Sequence, residues 1–354
     1  MKLETKIFRS RVAIGAAITV GAALTAVSAF AQDDSEMLRE VAFEKWDIPY
    51  ENTRPRDPFA ASADSIWFVG QRGHYLGHID VSTGEITRVD LPDEAGPHNT
   101  IVSEGGQVWY TGNLVGDIGR YDPATGEITH YPMPDEAARD PHTMVFDEAG
   151  DIWFTVQGGN MVGKLTVEDG SVELIDVPTE RSRPYGIKMA EDGTVWVVLL
   201  GTNKLAHVDP ETMELTEIEL PREGARPRRL EIAPDGSIWY ADFAEGYVGI
   251  YDPAAGEHAD IELIEGERRA QPYGTAIDNS GVFWTVAGGV EPAQFIGVDT
   301  ATREIVAAQE LDSRTVRHMH YHAPTGRVWF GADAGYIGYA QIEEHDMGED
   351  QASE

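Results

Sequence analysis

The chain lacks cysteine altogether, which excludes a disulfide scaffold, a thiolate zinc site and a cysteine nucleophile. Basic residues are scarce: 27 lysines and arginines face 61 aspartates and glutamates, a formal net charge of −34. A phosphate backbone must be met by clustered Lys and Arg, so no nucleic-acid partner is expected. An anionic membrane surface is excluded on the same ground. No apolar run long enough to span a bilayer follows the N-terminus. Apolar residues recurring every 3.6 positions are also missing after residue 40, so helices are not expected.

What is present begins with a leader. Lys2, Lys6, Arg9 and Arg11 precede the uncharged stretch from Val12 to Val27, and Ala29-Phe30-Ala31 has the small-x-small form of a signal-peptidase site. Residues 1–31 read as a signal peptide, Gln32 as the mature start and 32–40 as a linker, so a periplasmic or secreted location is expected. Cleavage removes four basic residues and Glu4, which brings the net charge to −37. The last twelve residues, 343–354, hold six acids and no base and read as a disordered tail.

Between these ends one unit recurs. Trp67, Trp109, Trp153, Trp196, Trp239, Trp284 and Trp329 follow each other at intervals of 42 to 45 residues. Each unit runs through a proline turn, a short strand, a Gly or Asp-Gly turn, the Trp strand, a Gly-rich turn, a third strand, a Thr-Gly-Glu-like turn and a fourth strand. Four short antiparallel strands at this period make one propeller blade. The expected fold is all-β, a seven-bladed β-propeller over 41–342. The seventh unit lacks a fourth strand, and Val41 to Pro49 resembles one. That N-terminal strand should complete the last blade and close the ring.

A propeller brings residues of one phase to its central channel. Eleven residues before each Trp stand Arg56, His98, His142, Tyr185, Arg228, Tyr273 and His318, none of them aliphatic. This ring is expected to face a small-molecule ligand. A second phase, four residues after Trp, includes Gln71, Asn113, Gln157 and Asp333. His318, His320 and His322 alternate along one strand and would share a face, where a His-x-His pair can bind metal. Arg56, Arg228, Arg229 and Arg317 near the mouth suit an anionic or carbonyl-rich ligand.

The stretches Arg183-Pro184-Tyr185-Gly186-Ile187, Asp151-Ile152-Trp153-Phe154-Thr155 and Asn160-Met161-Val162-Gly163-Lys164 resemble repeats of the virginiamycin B lyase (streptogramin lyase) family. The resemblance covers about residues 40 to 342. It implies a seven-bladed propeller that uses Mg2+ and opens a cyclic depsipeptide by β-elimination at the ester. It also implies a Pro-His turn in one blade, a Glu-Pro-His turn in the next and an acid after that blade's Trp. Two placements follow. By chain order, His318 is the proton-abstracting histidine and Asp333 the acid, with Tyr273 and Val316 departing from the pattern. By motif, Gly96-Pro97-His98 and Asp140-Pro141-His142 supply the turns. His142 is then the base, His98, Arg56, Tyr185, Arg228 and Tyr273 bind substrate, and Asp140 and Gln157 hold the metal. Two further readings stay open: a non-catalytic binding propeller and a lactonase-type hydrolase, against which the seven repeats count. A monomer is expected.

If the leader is cleaved as read, intact-mass measurement of the exported protein will show a chain beginning near Gln32. A mass that includes residues 1–31 refutes cleavage.

Overall fold

The computed structural model describes residues 38–342 apart from Asp93 and Arg268. The leader, most of the linker and the acidic tail therefore lie outside the described residues. No helix among those described is long and apolar enough to cross a membrane. The described residues form seven antiparallel sheets of four strands each, and among them only two short 3-10 turns occur besides. This is the expected all-β seven-bladed propeller.

Within each blade the Trp strand is the most apolar and lies second from the axis. Trp153, Trp239, Trp284 and Trp329 are fully buried, packed between neighbouring blades. The residue after Trp is aromatic in several blades, and its cross-strand partner is glycine. Tyr110 faces Gly119 and Phe154 faces Gly163. A Cβ at Gly119 would stand 2.0 Å from the Tyr110 ring, and one at Gly163 would stand 2.3 Å from Phe154. The repeated glycine of the third strand is thus the space its aromatic partner occupies.

The ring closes as the spare strand suggested. Val41–Asp47 pairs antiparallel with Tyr336–Ile342, so blade seven takes its outer strand from the N-terminal side. Phe43 packs edge-on against Phe295 and Phe330, and Trp46 stacks on Trp329 at 5.6 Å. Closure gives blade seven the same four strands as the other six and covers the outer edge of Tyr336–Ile342.

The seven first strands, Pro55–Ala60, Pro97–Val102, Pro141–Phe146, Pro184–Met189, Pro227–Ile232, Pro272–Ile277 and Val316–His322, surround the axis. Each carries a register shift just after its first residue or two. Such a bulge sets two successive residues against one on the partner strand and re-aims their side chains. Where the first strands of blades four and five approach most closely, glycine is required. A Cβ on Gly186 would come within 2.8 Å of the Arg228 carbonyl.

Register corrects one expectation. Val316 pairs with Ala332, three residues after Trp329, just as Pro227 pairs with Asp242, three after Trp239. His320, like Glu231, lies opposite its blade's Trp. The blade-seven position in phase with His98 and His142 is therefore Arg317, and His318 falls in the next layer with Arg229. The cause is an inner hairpin one residue longer at the turn Ala323–Thr325, which a fixed offset from Trp does not detect.

Deleting residues 32–50 removes the packing of Phe43, Trp46 and Ile48 as well as a full strand ladder. The melting temperature should fall by about 10 °C or more. Calorimetry of the truncated chain checks this, and an unchanged melting temperature contradicts closure by this strand.

Candidate functional site at the channel mouth

Three layers of side chains line the channel. The outermost layer follows the first residue of each first strand, proline in six blades and Val316 in the seventh: Arg56, His98, His142, Tyr185, Arg228, Tyr273 and Arg317. It is packed, not open. Arg56, His98, His142, Tyr185 and Tyr273 are all buried. The rings of His98 and His142 lie 3.6 Å apart, and those of His142 and Tyr185 4.0 Å apart. The Tyr185 and Tyr273 hydroxyls share a short hydrogen bond. The His98 ring nitrogen Nδ1 meets the His142 carbonyl at 3.2 Å, and His142 Nδ1 meets Thr143 Oγ1 at 2.8 Å. Six of the seven residues expected to form the ring thus stand in it, and Arg317 takes the place expected for His318.

Arg228 has no carboxylate partner among the described residues. Its guanidinium carbon sits 3.8 Å from the Phe243 ring centroid and 4.6 Å from that of Tyr273, and its buried Nε has no hydrogen-bond partner. Arg56 also has one unpartnered buried donor, Nη2. The Gln71 side-chain oxygen accepts from both Arg54 and Arg56 at 3.3 Å. Arg317 donates two hydrogen bonds to Asp333, at 3.1 and 2.7 Å.

The second layer is a polar plug. Asp57 is fully buried and accepts from Arg56 Nε at 2.7 Å, from Arg229 Nη2 at 3.3 Å and from Asn99 Nδ2 at 3.1 Å. Arg229 also donates to Thr143 Oγ1 at 2.9 Å and to the Arg317 carbonyl at 3.1 Å. Blades one, two, three, five and seven are thereby tied across the axis. Composition gave no signal for Asp57 or Asn99. The offset one place beyond the ring phase would have found them.

The charges set the protonation states. Burial would raise the Asp57 carboxyl, but the guanidiniums of Arg56 and Arg229 hold it well below the usual range. Burial, reinforced by Arg229 and Arg56, keeps His142 neutral, and burial with Arg56 does the same for His98. Burial would likewise raise the Tyr273 phenol, but Arg56, Arg228 and Arg229 outweigh it and bring the group down, whereas burial and the neighbouring Tyr273 push Tyr185 up.

Residues 29–208 and 167–352 match the model of the virginiamycin B lyase family. The chain belongs to that family. Solved structures agree in fold. A streptogramin B lyase structure is 24% identical, with 86% of this chain and 98% of that chain covered and a TM-score of 0.76. The virginiamycin B lyase of Staphylococcus aureus is 21% identical, with 86% and 100% covered and a TM-score of 0.77. The hydrazine synthase of Kuenenia stuttgartiensis is 13% identical, with 84% and 98% covered and a TM-score of 0.69. No curated protein matches significantly.

The Mg2+ that the family resemblance implies needs several hard oxygen donors around one point. Both oxygens of Asp140 accept backbone hydrogen bonds, from Gly158 at 2.5 Å and Gly159 at 3.1 Å. Asp333 is held by Arg317, and Gln157 lies half-buried in the turn after its Trp strand. Tyr273 and Val316 bring no carboxylate. Among the described residues no three His, Asp or Glu side chains are grouped to hold a metal ion, the His318–His320 pair included. The donors as arranged do not fit Mg2+, because the acids near the mouth are spent on amides and on arginine.

Replacing Asp57 with Asn leaves Arg56 and Arg229 buried without a carboxylate and should cost about 3–5 kcal/mol. The folded-state pKa of Asp57 lies below its ordinary 3.8, so its contribution is complete at neutral pH. That contribution should fade as pH falls below about 4. Urea titrations of wild type and Asp57→Asn at pH 7 and pH 3 should show the gap narrowing in acid. A gap that widens in acid contradicts the assignment.

Proposed function

We propose that the chain is an exported propeller that binds a small carboxylate-bearing molecule at the channel mouth. One observation carries this reading: Arg228 is a half-buried cation stacked on Phe243 and Tyr273, with an unpartnered Nε and no acid beside it. A desolvated charge is costly unless matched, and a ligand carboxylate would match it. The orphan donor of Arg56 and the guanidiniums of Arg54 and Arg317 add to a local excess of positive charge. This excess stands out on a chain whose overall sign is strongly negative. Leu114 and Val115, exposed on the blade-two loop beside Gly96, offer an apolar contact for the rest of such a molecule.

The neutral state of His142 favours a second reading, elimination of the family's type. His142 would then take the proton from the carbon beside a carbonyl, with Arg228 stabilising the negative charge that develops on oxygen. His98 would support the His142 ring against which it packs. A lactonase-type hydrolase finds less support, since its metal would need a carboxylate set that the described residues do not group.

Calorimetric titration of the mature protein with citrate and with N-acetylphenylalanine separates these readings when paired with assays on a cyclic depsipeptide ester. Arg228→Gln should weaken carboxylate binding at least about tenfold, the worth of one charge-assisted contact, and leave the melting temperature unchanged. Unaltered binding overturns the proposal. Turnover of the ester that disappears in His142→Ala supports elimination. Turnover lost in His318→Ala or Asp333→Asn instead moves the base to blade seven.

A further inference from the structure

Below the Asp57–Arg229 plug the channel widens into a separate chamber of about 390 Å³, walled by the lower halves of the first strands. Its sides are mainly apolar, with Phe59, Ile101, Val145, Ile277 and Met319 among them. His320 stacks on Phe59 at 4.2 Å and gives one flat wall. Two charged side chains sit opposite their blades' tryptophans, Lys188 and Glu231, and they pair with each other at 2.8 Å. Glu231 also accepts from Thr275 Oγ1 at 2.9 Å, so both its oxygens are engaged. The Lys188 side chain keeps 37% of its exposure and has donors to spare. His318 reaches the chamber with a buried Nδ1 that has no partner.

We infer that this chamber is a second binding site, distinct from the mouth, for a neutral molecule with an apolar body and one amide-like hydrogen-bonding end. The size suits a compact ring-bearing ligand, since such pockets run from about 300 Å³ upward. The charge balance sets the class. Lys188 offsets Glu231, Arg229 offsets Asp57, and His318 and His320 are neutral because burial, together with nearby cations, disfavours their charged forms. A ligand anion would place a second negative charge beside the buried Glu231 with only Lys188 to match both, and a ligand cation would add a second positive charge beside Lys188. A neutral amide avoids both. Its carbonyl can accept from Lys188, and its N–H can meet His318 Nδ1. The plug isolates this site, because each nitrogen of the Arg229 guanidinium is already hydrogen-bonded, to the Arg317 carbonyl, Thr143 and Asp57.

Ligand-observed NMR with benzamide, benzoate and benzamidinium tests the inference, since the three share a shape and differ in charge. All are measured on the full mature chain carrying Arg228→Gln, so that the mouth does not enter the comparison. Benzamide should bind saturably and at least about tenfold more tightly than either ion. Ile277→Trp, at the half-buried rim, should abolish that binding by filling the opening. The paired change Lys188→Met with Glu231→Gln, which leaves no buried charge unmatched, should weaken it at least about tenfold. Melting temperatures verify that both variants fold. Absence of benzamide binding, equal binding of an ion, or benzamide binding indifferent to both folded variants overturns the inference. Failure of carboxylates to bind at the mouth bears only on Arg228 and leaves this result readable.

Discussion

Strands that converge on one axis bring their side chains into a space too narrow to solvate them. Every charge placed there must be matched across the channel, and the Asp57–Arg229 pair is where this protein meets that requirement. Asp57 comes from the first blade and Arg229 from the fifth, and their partners extend to blades two, three and seven. The pair divides the channel into a mouth and a chamber, and its Arg229 adds to the burial that keeps the mouth histidines neutral. Removing one partner would leave a buried charge without compensation, which is far worse than losing an ion pair at the surface.

The bulge at the start of each first strand makes this arrangement possible. An unbroken strand would alternate its side chains between faces and offer the axis every second residue. The bulge turns two neighbours inward instead, so His142 and Thr143, or Arg228 and Arg229, act in adjacent layers. The mouth layer is rich in rings and guanidiniums, which stack, and the layer beneath holds the hydrogen-bonded plug. A third layer, opposite the tryptophans, is apolar apart from Lys188, Glu231 and His320.

Membership of the virginiamycin B lyase family fixes the scaffold, and function rests on the residues set into it. Here the mouth carries arginine and tyrosine at positions where a metal-assisted site needs carboxylates. Arg317 holds Asp333, and the backbone of the following turn holds Asp140. The mouth therefore suits an anion better than it suits a divalent cation.

The sequence alone determined the all-β class, the seven blades and the strand that closes the ring. These follow from a tryptophan period and from one missing and one spare strand, which are local patterns repeated along the chain. It also named six of the seven mouth residues, because a fixed distance from Trp measures position along an inner hairpin of constant length. It misplaced His318 because the blade-seven hairpin is one residue longer, and only cross-strand pairing reveals which residues stand level. The tertiary structure alone decided that Asp57 meets Arg229, 172 residues away, and that Asp140 turns to backbone amides. Charge pairing across a channel depends on distances between blades, and a period read along one dimension carries no information about which blades face each other.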